Sequence, residues 1–288
     1  SVRRVAVDIG DAVRREPDTS AGEDSGPQTE KLAGFASELV GVNKARRALA
    51  QSLDIDPYTS NPVLLEKLGT LAWASVAGSM STDLMLGELG STTNDVLSTT
   101  GQINSVVWEK TPADIARNLE ARLVEGGIDS RAAREFLRNA SFTPTMQLEF
   151  VSALEALGRP AGEDDLIALA TNVSGEIHAR FLVQQLLMLL DNVHQTDPVT
   201  NLVAFDSSIA ARTSSDASVI VLPVDYLSWT DVTTFVSEQE EAIRSMLFVS
   251  GGISKLAQQQ LTDGGWEVVA DVGIVSLAEA GQTLNPDA

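Results

Sequence analysis

The sequence predicts an α+β protein: a mainly helical N-terminal domain followed by a small mixed α/β domain. Two observations carry this reading. From about Glu30 to Asn201, apolar residues recur at helical spacing between plain start and stop signals. After Asp197-Pro198 the pattern becomes short apolar runs bounded by Gly, Ser and Asp, ending in a strand–helix–strand alternation. The expected divisions are 1–29, an amphipathic helix and flexible linker; 30–200, the helical domain; and 201–288, the α/β domain with a hairpin and a β-α-β unit.

At the N-terminus, Val2, Val5, Ile9 and Val13 fall on one helical face, opposite arginines and aspartates. The following stretch, "EPDTSAGEDSGPQTE", is polar, carries two prolines and two glycines, and reads as a tether. Helices are expected near 31–40, 43–53, 62–79, 112–125, 130–139, 144–157, 163–172 and 175–194. Asn61-Pro62, Thr111-Pro112 and Thr143-Pro144 each place a capping side chain before a proline, whose missing N–H costs nothing at the first helical position. Gly126-Gly127 and Gly158 mark helix ends, because glycine takes the left-handed conformation without strain.

Beyond residue 200, "SIAARTSSDASVIVLP" reads as a hairpin with its turn at Ser214–Ala217 and a buried strand over Val219–Leu222. Ser228-Trp229-Thr230-Asp231 forms a capping box that opens a helix carrying Val232, Phe235 and Val236. "SMLFVS" reads as a strand, Gly251-Gly252 as a turn and "SKLAQQQLTD" as a helix stopped by Gly264-Gly265. "WEVVADV" closes the β-α-β unit as a strand.

Composition narrows the functions. The chain has 288 residues, 43% of them apolar, with 40 acidic against 20 basic side chains and a net charge of −20. So negative a surface repels phosphate backbones and anionic membranes, and favours basic or cationic partners. The absence of cysteine removes disulfides, thiolate nucleophiles and zinc-thiolate sites, and His178 and His194 are the only histidines. No metal and no cofactor is expected. The longest apolar run, Phe181–Leu190, is interrupted by Gln184 and Gln185 and is too short for a transmembrane span. Starting at Ser1 without methionine, the chain reads as a trimmed product, with the bacterial periplasm or exterior as the expected location.

Four stretches invite a chemical reading. Asp54-Ile55-Asp56-Pro57-Tyr58-Thr59-Ser60-Asn61 resembles a metal loop. Against the calcium-binding pattern it supplies Tyr58, Thr59 and Leu65 where an oxygen ligand, glycine and glutamate belong, so it reads as a helix–turn–helix joint with Asn61 as cap. In "SGEIHARFLVQQLLMLLDNVH", Glu176 and Arg180 are spaced to pair, and Asp191 and His194 could form a carboxylate–imidazole pair. His178 and His194 lie sixteen residues apart, about 24 Å along a helix, too far to share a metal. Ser250, Gly251 and Gly252 form a strand–turn–helix geometry able to bind an anion, although neither a dinucleotide fingerprint nor a P-loop is present. Asp225 and Tyr226 follow a buried strand, where site residues collect, or else anchor the loop by packing with Trp229. Arg131, Arg134 and Arg138 at helical spacing, with Lys44, Arg46 and Arg47, offer basic groups for local ion pairs or an acidic partner.

The expected function is that of a non-catalytic bacterial interaction or assembly protein, exported or membrane-associated through a preceding segment, with residues 1–15 a candidate partner helix. The alternative is an enzyme or small-ligand binder with a site between the helical and α/β domains, built from Asp225, Tyr226, Ser250–Gly252 and His178 or His194.

Overall fold

A computed structural model describes residues 41–53, 55–76, 106–205, 207–230 and 244–273. The α+β class holds, with helices first and a mixed five-stranded sheet in the C-terminal part. The expected helices at 2–15 and 31–40 lie outside the described residues, as do Val232, Phe235 and Val236; of the capping box expected to open their helix, Ser228, Trp229 and Thr230 are described and are not helical. The chain divides into two compact units, 1–114 and 115–288. The expected boundary at 200/201 falls within the second of these.

In the first unit, helix α1 covers 41–52 and α2 Pro62–Val76, and a short α3, Val106–Glu109, lies in a stretch with no clear periodicity. The joint between α1 and α2 is built as its side chains dictate. Asp56 Oδ1 accepts from Tyr58 N–H (2.8 Å), and Asn61 Oδ1 accepts from the N–H groups of Val63 (3.0 Å) and Leu64 (3.3 Å), capping α2 with Pro62 at its first position. Leu64, Leu68, Leu71 and Ala72 are buried at helical spacing and form one apolar face, while Val76 is exposed. Leu68 and Leu71 pack with Leu49, Ala50 and Ile55, and Trp108 covers them while its Nε1–H donates to Ile55 O (3.0 Å).

Helix α4, Pro112–Glu125, begins at the Thr111 cap, which exchanges hydrogen bonds with Asp114. There follow α5 Ser130–Leu137, α6 Pro144–Ala156 capped by Thr143, α7 Glu163–Asn172 and α8 Glu176–Leu189. Phe136, Phe142 and Phe150 meet edge-on or tilted at centroid separations of 5.0–5.8 Å and form the aromatic centre of these helices. The apolar run too short for a membrane is most of α8, which is buried on nearly every side because it packs on α6 and on the sheet. It ends in a π turn, Leu190–His194.

The sheet has the order β1-β2-β3-β5-β7: β1 Val199–Phe205, β2 Ser208–Thr213, β3 Ala217–Leu222, β5 Arg244–Val249 and β7 Trp266–Val269. The first three strands are antiparallel neighbours, and β3, β5 and β7 are parallel. The hairpin and the β-α-β unit (β5, α9 Lys255–Asp263, β7) stand where the sequence puts them, with Ser254 capping α9. Strand β1 and the two-residue strands β4, Tyr226–Leu227, and β6, Gly252–Ile253, carry no expectation from the sequence. Alternation sorts the sheet residues. Ala210, Ile220, Leu247 and Val249 face α9 and its Leu261, while α8 packs on β2 and β3.

Between α6 and α7 the chain runs along β1. Ala161 N–H donates to Thr200 O (3.0 Å) and Ala161 O accepts from Leu202 N–H (2.7 Å). The next residue, Gly162, has φ +86°, and a Cβ there would overlap Leu202 O. Gly158, at φ +74°, is also left-handed but has nothing within 4 Å. Gly158→Ala is therefore expected to cost about 1 kcal/mol for its backbone alone. Gly162→Ala should cost clearly more, read as a larger drop in the urea midpoint of the full chain. Equal losses would contradict the close approach to β1.

Candidate functional site

The strand register gathers most of the nominated residues at one end of the sheet. Phe205 pairs with Ser208, Leu222 with Val249 and Phe248 with Val269, so the β1–β2 turn and the carboxyl ends of the parallel strands share an edge. Asp225 and Tyr226 follow β3 there, directly beside Ser250–Gly252, with Tyr226 paired to Gly252. Ligands of open α/β sheets bind at such an edge. Here the amides of the Ser250–Gly252 turn are occupied. Ser250 N–H donates to Leu222 O, Gly251 N–H to Val224 O and Gly252 N–H to Asp225 O, each at 3.0 Å, and Ser250 Oγ donates to Val224 O (2.9 Å). The carbonyls of Gly251 and Ser250 accept in turn from Asp271 and Gly273. A Cβ at Gly251 would overlap Asp225 O, so this glycine serves a close backbone crossing. Asp225 and Tyr226 are exposed, Trp229 is half-buried against the α9 side of the sheet, and Ser254 N–H is held by Leu227 O (2.9 Å).

The histidines stand at opposite ends of α8. His178 Nε2 donates to Ser207 O (2.8 Å) in the β1–β2 turn, two strands away from β5 and thus about 10 Å from the glycine turn. His194 lies at the far end, where its Nδ1 accepts Val199 N–H (3.1 Å) as β1 begins. The imidazole thus turns to the backbone and not to Asp191, since the π turn carries the two residues out of the stacked i,i+3 arrangement. Burial holds the His194 pKa below its usual value, and the accepted N–H requires the neutral ring. Near the same end, Asp197 accepts from Ser214 Oγ (2.7 Å), Ser215 N–H (3.1 Å) and Ser215 Oγ. The Ser215 and Thr213 hydroxyls are the main reason its carboxyl lies well below the usual range, which makes it a poor general base and a good clamp for the β2–β3 turn.

One polar cluster escaped the sequence reading. Arg122 on α4 binds Glu155 on α6 through two nitrogens and donates to Ser152 Oγ (2.9 Å). Arg159 donates to Arg122 O (2.8 Å), Glu155 Oε1 (3.1 Å) and Glu163 Oε2 (3.4 Å). With Glu125 and Gly126, these arginines and Glu155 line an open depression of about 430 Å³. Both guanidiniums are already held by carboxylates, so the depression offers no free cation to a ligand. The signal was present: Glu155, Arg159 and Glu163 recur every four residues, broken by Gly158 and Pro160 so that no continuous helix face displays it. The Glu176–Arg180 pair forms as its spacing requires (3.0 Å) and is exposed, as is Arg131–Glu135 (2.8 Å); Arg134 pairs with Glu120 (3.5 Å). Such pairs add little stability.

Asp54 lies outside the described residues, and among the described residues no three His, Asp or Glu side chains could hold a metal. No described helix is long and apolar enough to cross a membrane. Comparison with protein-family models, curated proteins and solved structures finds no match to this chain.

The histidine gives a pH prediction. A folded-state pKa below the ordinary 6.5 means that His194 contributes stability above that pH, lost as pH falls below it through the folded value. Thermal unfolding midpoints of the native chain should carry a component falling across that interval that His194→Gln removes. An unchanged pH slope in the variant would refute the neutral, accepting ring.

Proposed function

We propose that this chain is a non-catalytic interaction or assembly protein whose unit 115–288 presents a protein-binding end. The observation that carries the reading is what the carboxyl edge of the sheet displays. Its turn amides are bonded internally, while three large apolar side chains on elements that end or begin near it stand in solvent: Ile177 at 89% exposure, Tyr226 at 61% and Leu256 at 54%. Ile177 adjoins His178, which is tied to the β1–β2 turn; Tyr226 follows β3; Leu256 sits in the first turn of α9 after β5. Where exposed apolar groups form a contiguous patch, they mark a surface that a partner covers. The net charge of −20 favours a basic partner and an association rate that falls with salt.

The enzyme or small-ligand reading draws on the same edge through Asp225, Tyr226 and Ser250–Gly252, and finds less support because the turn's donors already have acceptors. His194, at the opposite end of α8, cannot contribute there. The partner-helix expectation for residues 1–15 is independent of this surface and is tested by deletion of residues 1–30.

The unaltered chain should co-purify with a basic protein at low salt, and a combined Ile177→Asp, Tyr226→Asp and Leu256→Asp variant should keep the native circular dichroism spectrum and lose that partner. Retention of that partner by the folded variant would overturn the assignment of this surface.

A further inference from the structure

The turn between α6 and α7 is fastened in an unusual way. Arg159 takes φ +58°, one of three non-glycine residues with positive φ among the described residues. Its guanidinium lies against Gly126, where a Cβ would collide with it, and donates to the last turn of α4, to Glu155 on α6 and to Glu163 on α7. One side chain thus joins three helices. Two residues on, Ala161 makes the paired bonds that cover the β1 edge. Glu163 closes the arrangement from an unfavourable position: it is only 8% exposed, and its Oε1 has no hydrogen-bond partner. A buried carboxylate ordinarily has both oxygens satisfied. This one has a single ion pair, at 3.4 Å.

We propose that Glu163 and Arg159 form a proton-operated latch that seats α7, and with it the Ala161 cover on β1, more firmly when Glu163 is protonated. One proton from water goes onto Glu163 Oε1, the oxygen without a partner. Arg159 keeps Glu155 and Arg122 O, so the junction of α4 and α6 is unaffected, while the cost of burying a lone carboxylate disappears. The groups facing Glu163 fit this direction. Arg159 and the N-terminal end of α7, whose first residue is Glu163, favour the charged form, and Asp164 on α7 and Glu155 on α6 oppose it. Helix α5, packed on α7, brings Arg131 and Arg134, which pair with Glu135 and Glu120, and Arg138; β1 has no charged side chain. Burial is the largest influence and raises the Glu163 pKa above its ordinary 4.5.

The sign follows from linkage. With the folded value raised, the charged form's cost is absent below 4.5 and complete above the folded pKa, so the seat loosens as pH rises through that interval. Two measurements on the full chain test it. Carbon-13 NMR of the Glu163 carboxyl should titrate above 4.5; a midpoint at or below that value overturns the proposal. Amide exchange at Leu202, whose N–H is held by Ala161 O, should show an opening constant that rises with pH after correction for intrinsic exchange. The rise is about tenfold for each unit of pKa displacement. Glu163→Gln should abolish that rise without loss of protection at neutral pH, and the same rise in the variant would overturn the latch. Should the variant fail to fold, the NMR titration of the unaltered chain decides alone.

Discussion

At Gly162 the chain turns into α7 so near to Leu202 O that no side chain fits between them, and one residue earlier Ala161 bonds to β1 on both of its backbone groups. Residues 115–288 form one compact unit through this crossing together with the burial of α8 on β2 and β3. A tether of backbone to backbone fixes register as well as proximity. It therefore sets where α7 begins, which in turn places Glu163 beside Arg159. Arg159 then ties the ends of α4 and α6 to the same point. The polar cluster and the cover on the sheet edge are consequences of one tight approach.

Much of this was legible in the sequence because it depends on local chemistry. Caps at Asn61, Thr111, Thr143 and Ser254 act within three residues, so the helix starts followed from residue type and spacing. The hairpin and the β-α-β unit were legible for the same reason: turn residues separate short apolar runs. What depends on partners distant in sequence was not. Strand β1 has mixed burial and a bulge near its start, so it lacks clean alternation, and its neighbour at Ala161 is about forty residues away by sequence numbering. The amides of Ser250–Gly252 look available when read locally; their acceptors at Leu222, Val224 and Asp225 emerge only with the sheet. The Asp191–His194 spacing assumed an α-helix that becomes a π turn at Leu190.

These distant partnerships also decide how the candidate site is understood. Asp225, Tyr226 and the glycine turn do converge, as residues at the carboxyl edge of parallel strands often do. Convergence alone does not make a site: donors must be free and pointed outward, and here they close the fold. Exposed around that edge are the Asp225 carboxylate and three large side chains, Ile177, Tyr226 and Leu256. The proposed role in recognition rests on these exposed apolar groups and on the chain's net charge of −20.

The most direct measurement is site-specific photo-crosslinking in the native cell, with a photoreactive residue at position 226 and, as a control, at position 214 in the β2–β3 turn at the other end of the sheet. An interaction role for the apolar edge predicts a discrete protein adduct from 226 and none from 214. The absence of any adduct from 226, or the same adducts from both positions, would contradict it.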